Sequence, residues 1–280
     1  MKNALLRMRE SLNTASATEK TIIKHILAHP DDLLTCSIHA LAEQTYSSPA
    51  TILRLCRKLG FDGYKDFRQS VIYELALRKQ SQEEEQKEIT QHDSLEQMVQ
   101  KITYKNINSL KDSCQLIDVA DIQTAVDMIE RSQVVYLFGI GSSLCVAHDL
   151  YLKFLRLGKA CVLNDDWHGQ LLQARNATAQ DAAIILSYSG QTVEVISCMK
   201  EMHENNVPMV SITRYGASPV TQLSSLCLYV AANESLFRSG AMSSRISQLN
   251  LIDILYTEFA NRNYQRSLAQ LSKTHIHKPG

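Results

Sequence analysis

Along the first eighty residues, hydrophobic positions recur in short bursts at helical spacing. Ile22, Ile23, Ile26 and Leu27 follow Ser16-Ala17-Thr18-Glu19, an S-x-x-E pattern in which hydroxyl and carboxylate satisfy each other's backbone N–H groups. Pro30 ends the run, so a first helix is predicted here. A second, shorter helix is predicted from near Ser37 to about Tyr46, with Ile38, Leu41 and Ala42 facing inward. For a third, Ser48 is the cap and Pro49 sits in the first turn, where its missing N–H costs nothing. Ile52, Leu53, Leu55 and Cys56 supply its apolar faces and Gly60 closes it. Two short helices joined by a tight turn, the second carrying Thr51, Arg54, Arg57 and Lys58, make one of two things. They form a helix-turn-helix that lays a helix N-terminus in a DNA major groove, or a plain three-helix packing unit with a charged face. Small groups at Ser47, Ser48, Ala50 and Thr51 permit close approach.

From Arg78 to His92 the apolar stripe disappears into Lys, Gln and Glu, including Glu83-Glu84-Glu85, which places a domain boundary there. Periodicity resumes at Leu95, Met98, Val99 and Ile102 and runs through Ile107 and Leu110, predicting a helix or two. The pattern then becomes continuous apolar runs: 134–139, Cys161-Val162-Leu163, 182–187, 209–213 and 226–230, alternating with helical stretches. Such runs suit strands buried on both faces, and their rhythm is that of a parallel sheet covered by helices, where ligands collect at the carboxyl ends of strands. The predicted fold class is therefore α plus α/β. An all-helical domain spans residues 1–78, a linker and connecting helix 79–115, a doubly wound parallel-sheet domain 116–262 and a C-terminal tail 263–280.

A chain of 280 residues suits two cores and a connector, and 45% hydrophobic with 21% charged residues is ordinary globular usage. No apolar run approaches the roughly 18 residues needed to span a bilayer, and the first eleven residues carry charges where a signal peptide needs an apolar stretch, so a cytoplasmic protein is expected. The seven cysteines form no C-x-x-C pair and are expected to be buried free thiols; no metal or cofactor is expected. The net charge of zero hides an asymmetry. Up to Gln80 there are twelve Lys and Arg against eight Asp and Glu, hence +4, leaving −4 on the remainder, which is compatible with a phosphate-backbone partner for the N-terminal part.

Two strand ends carry the chemistry of an anion cradle: Gly139-Ile140-Gly141-Ser142-Ser143 after the first run, and Ser187-Tyr188-Ser189-Gly190-Gln191-Thr192 after the third, each opening a helix. Glycines admit close backbone approach, helix N-terminal N–H groups point at the ligand, and hydroxyls add donors. Neither segment has a fixed positive charge, which suits reversible sensing. The dinucleotide fingerprint fails because Leu144 stands at its third glycine, although Asp165 and Asp166 could mimic its ribose-binding acid, and no Walker-type loop is present.

The run from Ser48 to Arg68, S-P-A-T-I-L-R-L-C-R-K-L-G-F-D-G-Y-K-D-F-R, resembles the helix-turn-helix signature of the RpiR/MurR family of regulators, over about residues 1–78. That resemblance implies groove-facing roles for Ser48, Thr51 and Arg54 and backbone-phosphate contacts for Lys58, Tyr64 and Lys65. Together, G-x-G-x-S and S-x-S-G-x-T resemble the sugar isomerase (SIS) domain, a phosphosugar-binding fold, over roughly residues 116–260. The stretch Arg238 to Leu249 resembles the version of it found in those regulators. By this resemblance Ser143, Ser187, Ser189 and Thr192 are phosphate ligands, with Gly141, Ser142, Gly190 and Gln191 completing the cradle. Glu234 and Arg245 either border the sugar or pair with each other. The family implies a phosphosugar-responsive repressor of a carbohydrate or amino-sugar catabolic operon, a homodimer or homotetramer with operator DNA and a phosphorylated sugar as partners. The alternative is an aldose-ketose isomerase, for which His168 and Glu234 are the only candidate bases near the strand ends. A DNA-binding unit fused in front argues that the pocket reports rather than reacts, so no catalytic residue is expected.

Overall fold

The computed structural model describes residues 4–79, 89–232 and 241–276. They form two compact units, one built on residues 1–116 and the other on 117–214 with 218–280.

The N-terminal unit contains α1 (Ala4–Ser11), α2 (Ala17–Ala28), a 3-10 turn (Pro30–Leu34), α3 (Ile38–Gln44), α4 (Pro49–Lys58) and α5 (Tyr64–Lys79). Met8, Ile22, Ile23, Ile26, Leu41, Ile52, Leu55, Phe67 and Val71 form its core. Both halves of the predicted capping box are present: the Ser16 hydroxyl accepts from the Glu19 N–H at 3.4 Å, and the Glu19 carboxylate accepts from the Ser16 N–H at 2.8 Å. Burial raises the Glu19 pKa. The hydrogen bonds from Lys58 and from the Ser16 backbone outweigh that and leave the carboxyl below its ordinary value. No helix was read from the pattern at residues 4–11, yet α1 buries Ala4, Leu5 and Met8 in this core.

The turn between α3 and α4 is a Schellman motif, with the Ser47 N–H donating to the Ala42 carbonyl at 2.8 Å and the Tyr46 N–H to Glu43 at 3.2 Å. Such a closure needs a left-handed residue, and Tyr46 supplies it at φ +50°. The same motif ends α4, from Phe61 to Cys56 and from Gly60 to Arg57, but there the left-handed residue is Gly60 at φ +85°. Leu95–Leu116 is one continuous helix, α6. Residues 80–88 of the expected connector lie outside the described residues.

The C-terminal unit runs α7 (Val119–Arg131), β1 (Val135–Gly139), α8 (Ser142–Leu157), β2 (Cys161–Leu163), α9 (Trp167–Asn176), β3 (Ala182–Leu186), α10 (Val193–Glu204), β4 (Met209–Arg214), α11 (Pro219–Leu223), β5 (Leu226–Val230), α12 (Met242–Arg262) and α13 (Tyr264–Lys273). All pairings are parallel in the order β2-β1-β3-β4-β5, with Val135 beside both Cys161 and Ala182. Two cores flank the sheet. Leu137, Ile184 and Leu186 pack with Val146, Phe154 and Leu251; Phe138, Ala183 and Ile185 pack with Val195, Met199 and Met202 on the other. Burial on both faces is what made these strands continuous apolar runs. From β1 the chain steps outward to β2 and then returns to the opposite side as β3, so a topological switch point lies at the carboxyl ends of β1 and β3.

The far end of α12 is held by Arg262, whose guanidinium reaches Asp127 and Glu130 of α7 and Glu258 of its own helix. Residues 263–280, read as a tail, contain α13, and Thr274 just beyond it donates to the Arg156 carbonyl of α8 at 3.0 Å. The thiols differ from expectation. Cys36, Cys56 and Cys198 are buried, and burial pushes the Cys56 thiol up to about 12, but Cys114 and Cys145 are exposed. Both ride on the outer faces of amphipathic helices, which an apolar-neighbour argument does not distinguish from inner ones.

Candidate DNA-reading surface and anion cradle

Ser48 caps α4 through its hydroxyl, which accepts from the Thr51 N–H at 3.2 Å and lies 2.9 Å from the Thr51 hydroxyl. With Ile52, Leu55 and Cys56 turned into the core, helical geometry puts Ser48, Ala50, Arg54 and Arg57 outside, and Ser47 and Thr51 are half-buried beside them. The structure thus gathers Ser47, Ser48, Ala50, Thr51 and Arg54 at one exposed helix start. Lys65 is exposed on α5. Lys58 is bound at 2.8 Å to Glu19, and the Tyr64 hydroxyl donates to the Cys36 carbonyl at 2.9 Å, its pKa pushed up to about 12 chiefly by burial. Sequence reasoning passed over Tyr46, which is 96% exposed immediately before this surface. Its only signal was an aromatic residue where a turn calls for Gly or Asn.

The two loops of the cradle sit side by side at the switch point, because β1 and β3 pair in register up to Gly139 and Leu186. A Cβ at Gly139 would lie 3.0 Å from the Ser143 backbone, so a side chain there would push against the start of α8. Gly141 caps α8 at φ +60°. Ser143 is buried, and its hydroxyl donates to the Gln248 side-chain carbonyl of α12 at 3.2 Å. In the second loop the buried Ser187 hydroxyl lies 3.2 Å from that of Thr192, and the Ser189 hydroxyl accepts from the Gln191 N–H at 3.2 Å. Gly190 stands at φ +65°, where a Cβ would meet the Ser218 hydroxyl at 2.3 Å. Thr192 begins α10, so both loops end at helix N-termini. Gln170 braces the first loop by donating to the carbonyls of Gly139 and Asn164, each at 3.0 Å.

Ser142, Ser143, Ser187, Ser189 and Thr192 are therefore brought to two adjacent helix N-termini, an arrangement able to hold a phosphate dianion through dipoles and hydrogen bonds. Neither loop contains a charged residue. Glu234 lies outside the described residues; Arg245 is exposed on the first turn of α12. His168 is exposed at the start of α9, while Asp166 accepts from the Gly169 N–H as the cap of that helix and Asp165 pairs with His148 at 2.5 Å. Among the described residues no group of three or more His, Cys, Asp or Glu is placed to hold a metal ion, and no helix is long and apolar enough to cross a membrane. The sequence reading missed Gln170 and Gln248, which reach the loops from other elements.

Comparison with known proteins gives two family matches: residues 2–78 to the helix-turn-helix domain of the rpiR family, and residues 128–258 to the SIS domain. A helix-turn-helix transcriptional regulator of Caldanaerobacter subterraneus is 31% identical over 98% of this chain and 96% of its own length. The regulator YbbH of Bacillus subtilis is 30% identical over 92% of this chain and 90% of its own. Among solved structures, the Vibrio vulnificus NanR protein, complexed with ManNAc-6P, is similar over 97% of this chain and 96% of that one, with a TM-score of 0.60 and 27% identity.

Proposed function

This chain is a member of the RpiR family of helix-turn-helix transcriptional regulators that carry a SIS domain, and from that premise we propose that it represses a carbohydrate or amino-sugar catabolic operon until a phosphorylated sugar occupies the cradle. One observation carries the ligand class: two uncharged, glycine-turned, hydroxyl-lined loops converge at the ends of adjacent strands, each at a helix N-terminus. Ser143, Ser187, Ser189 and Thr192 hold the phosphate, Gly141, Ser142, Gly190 and Gln191 complete the cradle around it, and Glu234 and Arg245 border the sugar. The pocket reports on its ligand and does not turn it over: a helix-turn-helix unit is fused in front of it, and His168, the imidazole that the sequence offers as a base, is an exposed residue on a helix start. N-acetylmannosamine 6-phosphate is the first candidate effector, by analogy with the Vibrio vulnificus relative.

On the DNA side, Ser47, Ser48, Ala50, Thr51 and Arg54 enter the major groove, and Lys58 and Lys65 hold phosphates. Tyr64 keeps α5 in place for Lys65 through its bond to Cys36. One such helix reads only a few base pairs, so a homodimer or homotetramer on a near-palindromic site in the cytoplasm is implied. Gel shifts with the DNA upstream of the chain's own gene test this. Specific binding is expected to weaken as salt rises and to change roughly 5- to 150-fold when N-acetylmannosamine 6-phosphate is added, a coupling of about 1 to 3 kcal/mol. Equal affinity for random duplex would overturn the regulator's specificity. A panel of hexose, pentose and amino-sugar phosphates without effect would overturn the sensor, and turnover at about 1 per second or faster would make it an enzyme.

A further inference from the structure

Gln248 lies in the first half of α12, 1% exposed, and its side-chain carbonyl accepts the Ser143 hydroxyl at 3.2 Å across 105 residues of sequence. Among the described residues the other end of the same amide, the buried Nε2, has no hydrogen-bond partner. A buried amide N–H₂ left unpaired is costly, so the arrangement is a strained one unless something completes it. Its neighbours are polar in the same place. Ser243, Ser244 and Ser247 are buried on the same turns, and Ser247 donates to the Ala231 carbonyl at 2.7 Å.

Ser143 has one hydroxyl proton. While that proton points to the Gln248 carbonyl it is unavailable to an anion, and a bound phosphate dianion accepts but does not donate. The conflict resolves if the amide turns over, so that its N–H₂ donates to the Ser143 oxygen, its carbonyl oxygen takes the unpaired place and the hydroxyl proton points into the cradle. The serine then has a donor behind it and an acceptor ahead of it, and charge on the acceptor strengthens both bonds. We propose that Gln248 is a positioning residue whose amide reverses when phosphate binds, setting the direction of the Ser143 hydroxyl and reporting cradle occupancy to α12. The proposal rests on the reading of Ser143 as a phosphate ligand. Gln248 itself, with no exposed nitrogen, acts through the serine.

The test is a double-mutant cycle on the full chain with inorganic phosphate as probe, followed by melting temperature at matched ionic strength. Gln248→Met removes both ends of the amide while keeping its volume. Phosphate-free Gln248→Met is expected to melt no lower than the unsubstituted chain, since an unpaired donor has gone. Its phosphate affinity is expected to fall about 2- to 10-fold, the worth of one ordinary hydrogen bond. In the Ser143→Ala background the same substitution is expected to cost nothing further. An undiminished loss in that background, or no loss in either, would overturn the positioning role. Should Gln248→Met fail to fold, Gln248→Leu takes its place, and collapse of both without phosphate would make the pair structural and overturn the proposal. The underlying reading fails separately: Ser143→Ala alone would then bind phosphate as well as the unsubstituted chain.

Discussion

The two surfaces of this regulator proposed to bind DNA and a phosphosugar are built on opposite plans. The proposed DNA-reading surface is a set of exposed side chains on a helix start, Ala50 and Arg54 beside the capping Ser48, and the core beneath contains none of them. The cradle is made of backbone and buried hydroxyls, with Ser143 and Ser187 part of the interior they serve. Surface of the first kind can be altered without loss of fold, whereas in the second the ligand site and the packing are one object.

The largest expected effect sharpens that contrast. Gly190→Ala places a Cβ against Ser218 at a left-handed backbone position, and combined strain and overpacking are expected to cost about 2 to 4 kcal/mol and to abolish any phosphosugar response. Denaturant unfolding and thermal shift read both losses together, and a variant of normal stability that still binds would break the comparison. On the other side, Arg54→Ala is expected to weaken specific DNA binding by about 1 to 3 kcal/mol while leaving the unfolding midpoint unmoved. A fall in the midpoint would show the reading surface to be structural as well.

Smaller effects probe the scaffold beneath α4. Tyr46→Gly relieves a left-handed tyrosine that makes the Schellman turn, and the gain is expected to be up to about 1 kcal/mol after glycine's own entropic cost. A decrease in stability would mean that the exposed ring is packed in solution. Glu19 sets a pH window. Its pKa is lowered in the folded chain, so its contribution is present above the unfolded value of about 4.5 and is lost as pH falls through the folded value. Acid titration of unfolding is expected to show that loss, and Glu19→Gln, which keeps an acceptor for the Ser16 N–H, is expected to flatten it.

What could be read from the residues follows from how local each cause is. The central strands β1, β3 and β4 were legible because burial on both faces leaves continuous apolar runs, the half-buried edge strands β2 and β5 because their runs are apolar too, and α2 and α4 because Ser16, Glu19, Ser48 and Pro49 write their caps within four residues. The start of α1 is held instead by the Glu74 carboxylate of α5, which accepts from the Ala4 and Leu5 N–H groups, and its burial depends on a core assembled from later helices. The cradle's loops were legible as glycines and hydroxyls, but their braces were not. Gln170 and Gln248 touch the first loop from 31 and 105 residues away, distances at which spacing carries no information. Tyr46 was opaque for another reason, since its left-handed conformation is imposed by the closure of α3 and not preferred by the residue.

The distance from Ser143 to Gln248 also fixes an order of events during synthesis. At about 5 to 20 residues per second, a ribosome needs roughly 10 to 40 seconds to add the two hundred residues that separate the N-terminal core from the end of the chain. The helices of that core are complete early and pack mainly among themselves, whereas the cradle waits for α12, one of the last elements made. A nascent chain is thus expected to complete its helix-turn-helix fold before its cradle. Any chain truncated before residue 248 is expected to be a DNA binder that no sugar can dismiss.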